Sequence, residues 1–274
     1  MTSATNASQS LTQAACQSEP TATLISDPIA WLAPVTRRSG ALVAPFAGAG
    51  PIRRMGCQDL PVRIGTWNLE GRWSPAHRDL LQQQACDVWL LTEVPDGLSL
   101  GAAQIHHTAE RMSPRRYWAA VVSAWPLTAE WDPHRATASA SIDGVRFMSS
   151  VLPWRTCGES WPGQTLADKQ QAALDALHSQ INSATVWGGD WNQALEGPEY
   201  VGSSHGRKAL AAIMTAARLS VPTASLGSAS PGHRSIDHIA VPAGWDVAGV
   251  NRITVGGGPK RLSDHDAYVV EIAT

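Results

Sequence analysis

Four short apolar runs in this chain each adjoin a polar tip: Thr66-Trp67-Asn68, Thr92-Glu93, Gly189-Asp190-Trp191-Asn192 and Ser263-Asp264-His265-Asp266. The run from Asp87 to Thr92 is almost continuously apolar. A strand of that kind is buried on both faces, so it belongs to a sheet inside layers rather than one open to water. Polar tips on separate strands of such a sheet read as one built site rather than scattered surface residues. Carboxylates there can hold a hard cation through oxygen. One of them can orient or deprotonate a water, and an imidazole can steady charge that develops on phosphate.

From Pro61 onward, strand and helix patterns alternate. Strands are predicted over 62–67, 87–92, 118–123, 145–152, 185–188, 236–241, 247–255 and 266–272. Helices are predicted over 75–85, 166–181 and 207–218. Ser74 stands as N-cap before Pro75 at the first helical position. Ala173, Leu174, Leu177 and Ile181 recur at helical spacing. Many strands and few helices imply two packed sheets covered by helices. The expected class is a four-layer α/β sandwich, two mixed β-sheets flanked by helices. No internal repeat is evident.

Residues 1–60 differ. The stretch 1–19 is rich in Ser, Thr, Ala and Gln without apolar period and is expected to be disordered. The stretch 25–32 reads as a short helix or docking segment, and 40–51 as an Ala/Gly/Pro linker. The expected organisation is a flexible leader over 1–60 and one catalytic domain over 61–274.

At 274 residues with 43% hydrophobic content, the chain can bury a sizeable core. Its net charge of -2 lacks the positive excess of a non-specific nucleic-acid binder, so any such grip must come from a local patch. Lys169, Lys208 and Lys260 are the only lysines, a bias that with the Ala-rich stretches suits a high-GC bacterial genome. Cys16, Cys57, Cys86 and Cys157 have no zinc-pair spacing and form no disulfide framework. No apolar run is long enough to span a bilayer, and no secretory signal pattern opens the chain. The expected location is the cytoplasm, with a monomer favoured.

The tips, together with Ser235-Ile236-Asp237-His238-Ile239, resemble the motif series of the endonuclease/exonuclease/phosphatase superfamily. The resemblance covers about 62–274. Each motif is weak alone, but all five occur in family order. The resemblance implies Mg²⁺ or Mn²⁺ as cofactor, with Glu93, Asn68 and Asp264 on the metal side. It implies that Asp190 orients or deprotonates the attacking water, and that Asn192 holds phosphate or water. Asp237 would be the carboxylate partner of His265, and His265 would contact a phosphate oxygen. Either Asp190 or His265 would be the general base.

One feature departs from the family pattern. The strand ending Ser149-Ser150-Val151-Leu152-Pro153-Trp154-Arg155 carries no histidine, where many members have one. Trp154 or Arg155 is the expected replacement for phosphate contact, Arg being shaped for it. Trp191 joins them as an expected substrate-binding residue, with an aromatic face on which a base could stack. Arg111, Arg115 and Arg116 form a basic cluster, read as either a phosphate-backbone contact or a solvated face. His106 and His107 read as surface residues, and the loop 203–207 as one that could reach substrate.

The implied activity is divalent-metal-dependent hydrolysis of a phosphoester, most simply a nuclease-like phosphodiesterase on DNA or RNA. The alternatives are a phosphatase or lipid-headgroup phosphodiesterase with the same chemistry, or a catalytically silent binding module.

Overall fold

The computed structural model describes residues 61–198, 201–256 and 261–273. The leader and linker expected over 1–60 lie outside them.

The first half of the domain is built on β1 (Val62–Asn68), α1 (Pro75–Gln84) and β2 (Val88–Pro95), followed by β3 (Gln104–His107), β4 (Arg111–Ser113), β5 (Arg116–Ser123) and β6 (Thr128–Ala129). The second comprises β7 (Thr137–Ile142), β8 (Val145–Val151), α2 (Leu166–His178), β9 (Thr185–Asp190), α3 (Ser204–Ala217), β10 (Leu219–Ser220), β11 (Asp237–Pro242), β12 (Val247–Ile253) and β13 (Ala267–Ile272). One sheet runs β12-β13-β1-β2-β5-β3, with β4 also on β5; the other runs β10-β11-β9-β8-β7-β6.

Each sheet is mixed for the same reason. β1 and β2 are parallel and joined through α1, and β8 and β9 are parallel and joined through α2. Parallel neighbours need a crossover, and a helix supplies it. Their outer neighbours β13, β5, β7 and β11 all pair antiparallel. The two halves thus share a layout that shows no repeat in sequence.

Alternation along the strands makes the layers. Val62, Ile64, Val88 and Leu90 meet Ala138, Phe147, Val186 and Ile239 between the sheets. Trp67, Trp89 and Leu91 face outward onto Leu81 of α1. Met148, Trp187 and Ala240 face the other way onto Leu174 and Leu177 of α2 and Leu210 of α3. The order is therefore helix, sheet, sheet, helix, and each of the buried Val, Leu, Ile, Phe and Met side chains contributes about 1.5–3 kcal/mol. Among the described residues no helix is long and apolar enough to cross a membrane.

Three differences from the sequence reading have local causes. Strand β7 is missing from it, because Thr137-Ala138-Ser139-Ala140-Ser141 carries little apolar signal. Small side chains suit a strand pressed between a second sheet and its neighbours, and Thr137 to Ala140 are all buried. α3 starts three residues earlier than expected. Ser203 caps it, its Oγ accepting from Gly206 N–H at 2.9 Å, so 203–207 is a cap and first turn rather than a free loop. Gly206 lets the Gln170 side chain pack close, since a Cβ would lie 2.3 Å from its Oε1 and push it aside. Ser74 occupies the N-cap position of α1 but makes no side-chain cap; its hydroxyl meets His77 Nδ1 at 2.7 Å.

Candidate functional site

The parallel pairs β1/β2 and β8/β9 direct their C-terminal ends to one place. In register, Asn68 lies beside Thr92, Val151 beside Asp190, and Asp190 beside Asp237. Asn68 then bridges the two sheets. Its Nδ2 donates to Glu93 Oε1 at 3.2 Å and to Asp190 Oδ2 at 3.1 Å. Its Oδ1 accepts from Glu70 N–H at 2.8 Å and keeps a second lone pair.

Two of the expected site positions sit in left-handed backbone without being glycine: Glu93 at φ 50° and Asn192 at φ 48°. Such conformations cost about 1–3 kcal/mol and persist where surrounding structure holds them. Glu93 is held by its main chain, whose carbonyl accepts from Gly71 N–H at 2.9 Å. Asn192 N–H donates to Asp190 Oδ1 at 3.0 Å, and its Nδ2 donates to the Leu152 carbonyl at 3.1 Å. Gly189 makes the turn possible. It has φ 123°, and a Cβ there would fall 2.2 Å from the Ser150 carbonyl oxygen.

His265 comes from the loop before β13. Its Nδ1 pairs with Asp237 Oδ2 at 2.7 Å. Its carbonyl accepts from the Trp67 indole at 3.2 Å, and its N–H donates to Ser263 Oγ at 3.1 Å. His77, a residue sequence reading passed over, is buried, stacks on Trp67 at 5.4 Å and reaches the Leu262 carbonyl at 3.0 Å. It ties α1 to the loop that carries His265. Asp264 stands exposed at the rim, its N–H donating to Glu70 Oε2 at 3.2 Å. Glu70 was also missed, although it lies only two residues past Asn68 on the same tip.

The electrostatics follow from burial. Asp190 is pushed up to about 7, first by desolvation and then by the charges of Asp237 and Glu93, against the pull of His265. Burial also raises Asp237. Burial alone would lower His265, but the carboxylates of Asp237 and Asp190 outweigh it and hold the imidazole well above its ordinary value. Two buried atoms at this end, Asp237 Oδ1 and Thr92 Oγ1, have no hydrogen-bond partner among the described residues.

Among the described residues, Asp190, Asp237 and His265 have ligand atoms all within 4.8 Å of one another. The cluster pairs an imidazole, through Nδ1, with one buried carboxylate and sets a second beside it, a grouping with the chemistry for acid–base work or for a cation. The oxygens of Glu93, Asn68 and Asp264 suit a hard cation.

Not every expected residue joins the site. Trp191 is fully buried, 4.3 Å from Trp187 and 5.2 Å from His238 between ring centroids. It packs the helix side of β9 and has no exposed face for a substrate to stack on. The expectation that it binds substrate is corrected on that ground. Trp154 is half-buried at the end of β8, packed 6.4 Å from both Trp118 and Trp161, and Arg155 beside it is exposed. His106 is not a bare surface residue either; its Nε2 lies 3.1 Å from Asp132 Oδ1.

The fold is that of a known class of solved structures. An AP endonuclease from Archaeoglobus fulgidus superposes with a TM-score of 0.61 at 16% identity, over 76% of this chain and 98% of that one. An endonuclease/exonuclease/phosphatase family protein from Leptotrichia buccalis gives 0.54 at 14%, over 78% and 100%. TDP2 of D. rerio, complexed with a single-strand DNA product, gives 0.52 at 13%, over 79% and 100%. No curated protein matches the chain in sequence. The model of the endonuclease/exonuclease/phosphatase family matches residues 65–265, and the chain belongs to that family of phosphoester hydrolases.

Proposed function

We propose that this protein hydrolyses a phosphodiester with a divalent cation, Mg²⁺ or Mn²⁺, and that nucleic acid is its substrate class. The observation that carries the reading is the convergence of Asn68, Glu93, Asp190, Asp237 and His265 at the joined ends of the two sheets. Family membership supports the chemistry, and the TDP2 relative with its single-strand DNA product supports the substrate class.

Glu93, Asp264 and Asn68 would hold the cation, which when bound polarises the phosphoryl oxygens and stabilises the leaving oxygen. The remaining steps belong to the protein. Asp190, raised by burial towards neutral pH, takes the proton of the attacking water. Asn68 and the Asn192 N–H fix its two oxygens, so the base meets the water in one orientation. His265, kept charged by Asp237, donates to a phosphoryl oxygen as negative charge grows in the transition state. Asp190 is therefore the proposed base, and His265, paired through Nδ1 with Asp237, the proposed electrostatic partner. Trp154 and Arg155, just past the end of β8, are the proposed substrate contacts.

Cleavage of single- and double-stranded DNA, abasic DNA, RNA, bis-p-nitrophenyl phosphate and inositol phosphates, with and without EDTA, tests the reading. Metal-dependent turnover on a nucleic acid is the expected result. Turnover confined to phosphomonoesters or lipid headgroups would move the substrate class, and none on any member would leave a silent binding module.

The acid–base assignment predicts a bell-shaped pH profile. The base must lose its proton, so kcat/KM should rise about tenfold per pH unit on the acid side, levelling near neutrality. Raising Mg²⁺ should move that limb to lower pH, since a nearby cation favours the carboxylate. The alkaline limb reports loss of the His265 proton. Asp237→Asn removes the charge that raises it, so that limb should move to lower pH. A profile flat from pH 5 to 9 would contradict the assignment.

A further inference from the structure

The basic cluster of Arg111, Arg115 and Arg116 does not act as one patch. Arg111 pairs with Asp96 and lies over the Tyr117 ring at 4.2 Å, on the exposed side of the sheet. Arg116, on β5, turns the other way. Its Nη1 donates to Oε2 of Glu93, with both side chains mostly covered.

The surroundings hold that guanidinium in place. Gly71, in the turn after β1, lies directly against it. A Cβ at Gly71 would stand 2.2 Å from Arg116 Nε and 2.5 Å from Cζ. Gly71 also has φ 65°, and its N–H donates to the Glu93 carbonyl. One short turn therefore packs on the guanidinium and anchors the backbone of its carboxylate partner. The other carboxylate oxygen, Oε1, faces Asn68 Nδ2, and through it Asp190.

We propose that Arg116 is a positioning residue for the cation: it locks one oxygen of Glu93 so that the other is presented to the metal, and Gly71 is the slot that admits it. The terminal torsion of a glutamate is broad, so an untethered carboxylate would sample many orientations on an already strained turn. Groups that orient a metal ligand typically carry 10–100-fold in metal affinity. A guanidinium also drains charge from its partner, which acts in the opposite sense, so the sign of the effect is itself the test. The inference rests on the proposed function, in which Glu93 is a metal ligand.

The experiment is calorimetric titration of Mn²⁺ into the full chain and its Arg116→Met, Arg116→Lys, Gly71→Ala and Glu93→Gln variants, with thermal melts alongside. Arg116→Met should weaken binding by about 10–100-fold. Arg116→Lys should fall between it and the parent, keeping the charge without the fork. Gly71→Ala should move affinity in the same direction with the arginine intact, which keeps the test available if Arg116→Met does not fold. The Mn²⁺ concentration for half-maximal turnover should rise by the same factor, with kcat recovering at saturating metal.

Equal or tighter binding by Arg116→Met would overturn the proposal, because the guanidinium would then merely compete with the cation. Failure of kcat to recover would also overturn it, by placing Arg116 on the substrate. If the parent chain binds Mn²⁺ and Glu93→Gln does not, either failure belongs to this inference alone. If the parent binds none, the proposed function falls with it.

Discussion

Asp190→Ala is expected to lower kcat by at least about 10³-fold while leaving Mn²⁺ binding within a few-fold of the parent. A positioned general base contributes about 10²–10⁴-fold. Asp190 also accepts from Asn68 and from the Asn192 N–H, so its loss loosens the two residues that flank it. The cation would be held mainly by Glu93 and Asp264, and Asn68 keeps its tie to Glu93, so binding should largely remain. The fold should survive, because the variant removes a buried carboxyl that desolvation already disfavours in charged form. His265→Ala should cost a comparable factor, and the double variant little more than the worse single one, since groups acting as a unit are not additive. Single-turnover kinetics with a paired Mn²⁺ titration would check this. Loss of metal binding in Asp190→Ala would move Asp190 into the metal set, and additive losses would separate it from His265.

The second large effect concerns stability rather than chemistry. Asp266, next to His265, is entirely buried. It accepts from Arg252 at 2.6 Å, from Arg261 at 2.7 Å and from Val255 N–H at 3.3 Å. These contacts close the base of the loop between β12 and β13. Removing one partner of a buried ion pair costs about 3–5 kcal/mol. Both guanidiniums retain some exposure to water, which places Asp266→Ala near the lower end, about 3 kcal/mol. For a domain of this size that is a Tm drop of roughly 6–12 °C. The same loop presents Asp264 and His265, so activity should fall even below the new Tm. A melt unchanged within 2 °C would show that the loop is held by Ser263, Leu262 and the tryptophan contact instead.

Much of the fold was legible because burial on two faces leaves a plain signal. The apolar run before Glu93 is what a central strand between two layers requires, and β2 is that strand. The helices were legible from spacing and caps, as at Ala173, Leu174 and Leu177 of α2. Strand β7 was not, because five of its six residues are Ala, Ser or Thr, residues equally at home in loops. The residues gathered at the site were legible as strand-end tips, a one-dimensional pattern that topology converts into proximity.

What sequence could not express was direction. Trp191 lies between two site residues in the chain, yet alternation along the strand turns its ring into the helix layer. Arg116 read as one of three arginines in a cluster that either contacts a phosphate backbone or is solvated, and only the antiparallel pairing of β5 with β2 brings it onto Glu93. Glu70 and His77 carry no motif, and they matter because turns bring them against a loop nearly two hundred residues away. Sequence determined the chemistry available, the layers and the strand ends that carry it, since these depend on local periodicity and residue type. Tertiary structure decided pairing, orientation and support, since desolvation and charge pairing arise only when distant strands close on one another.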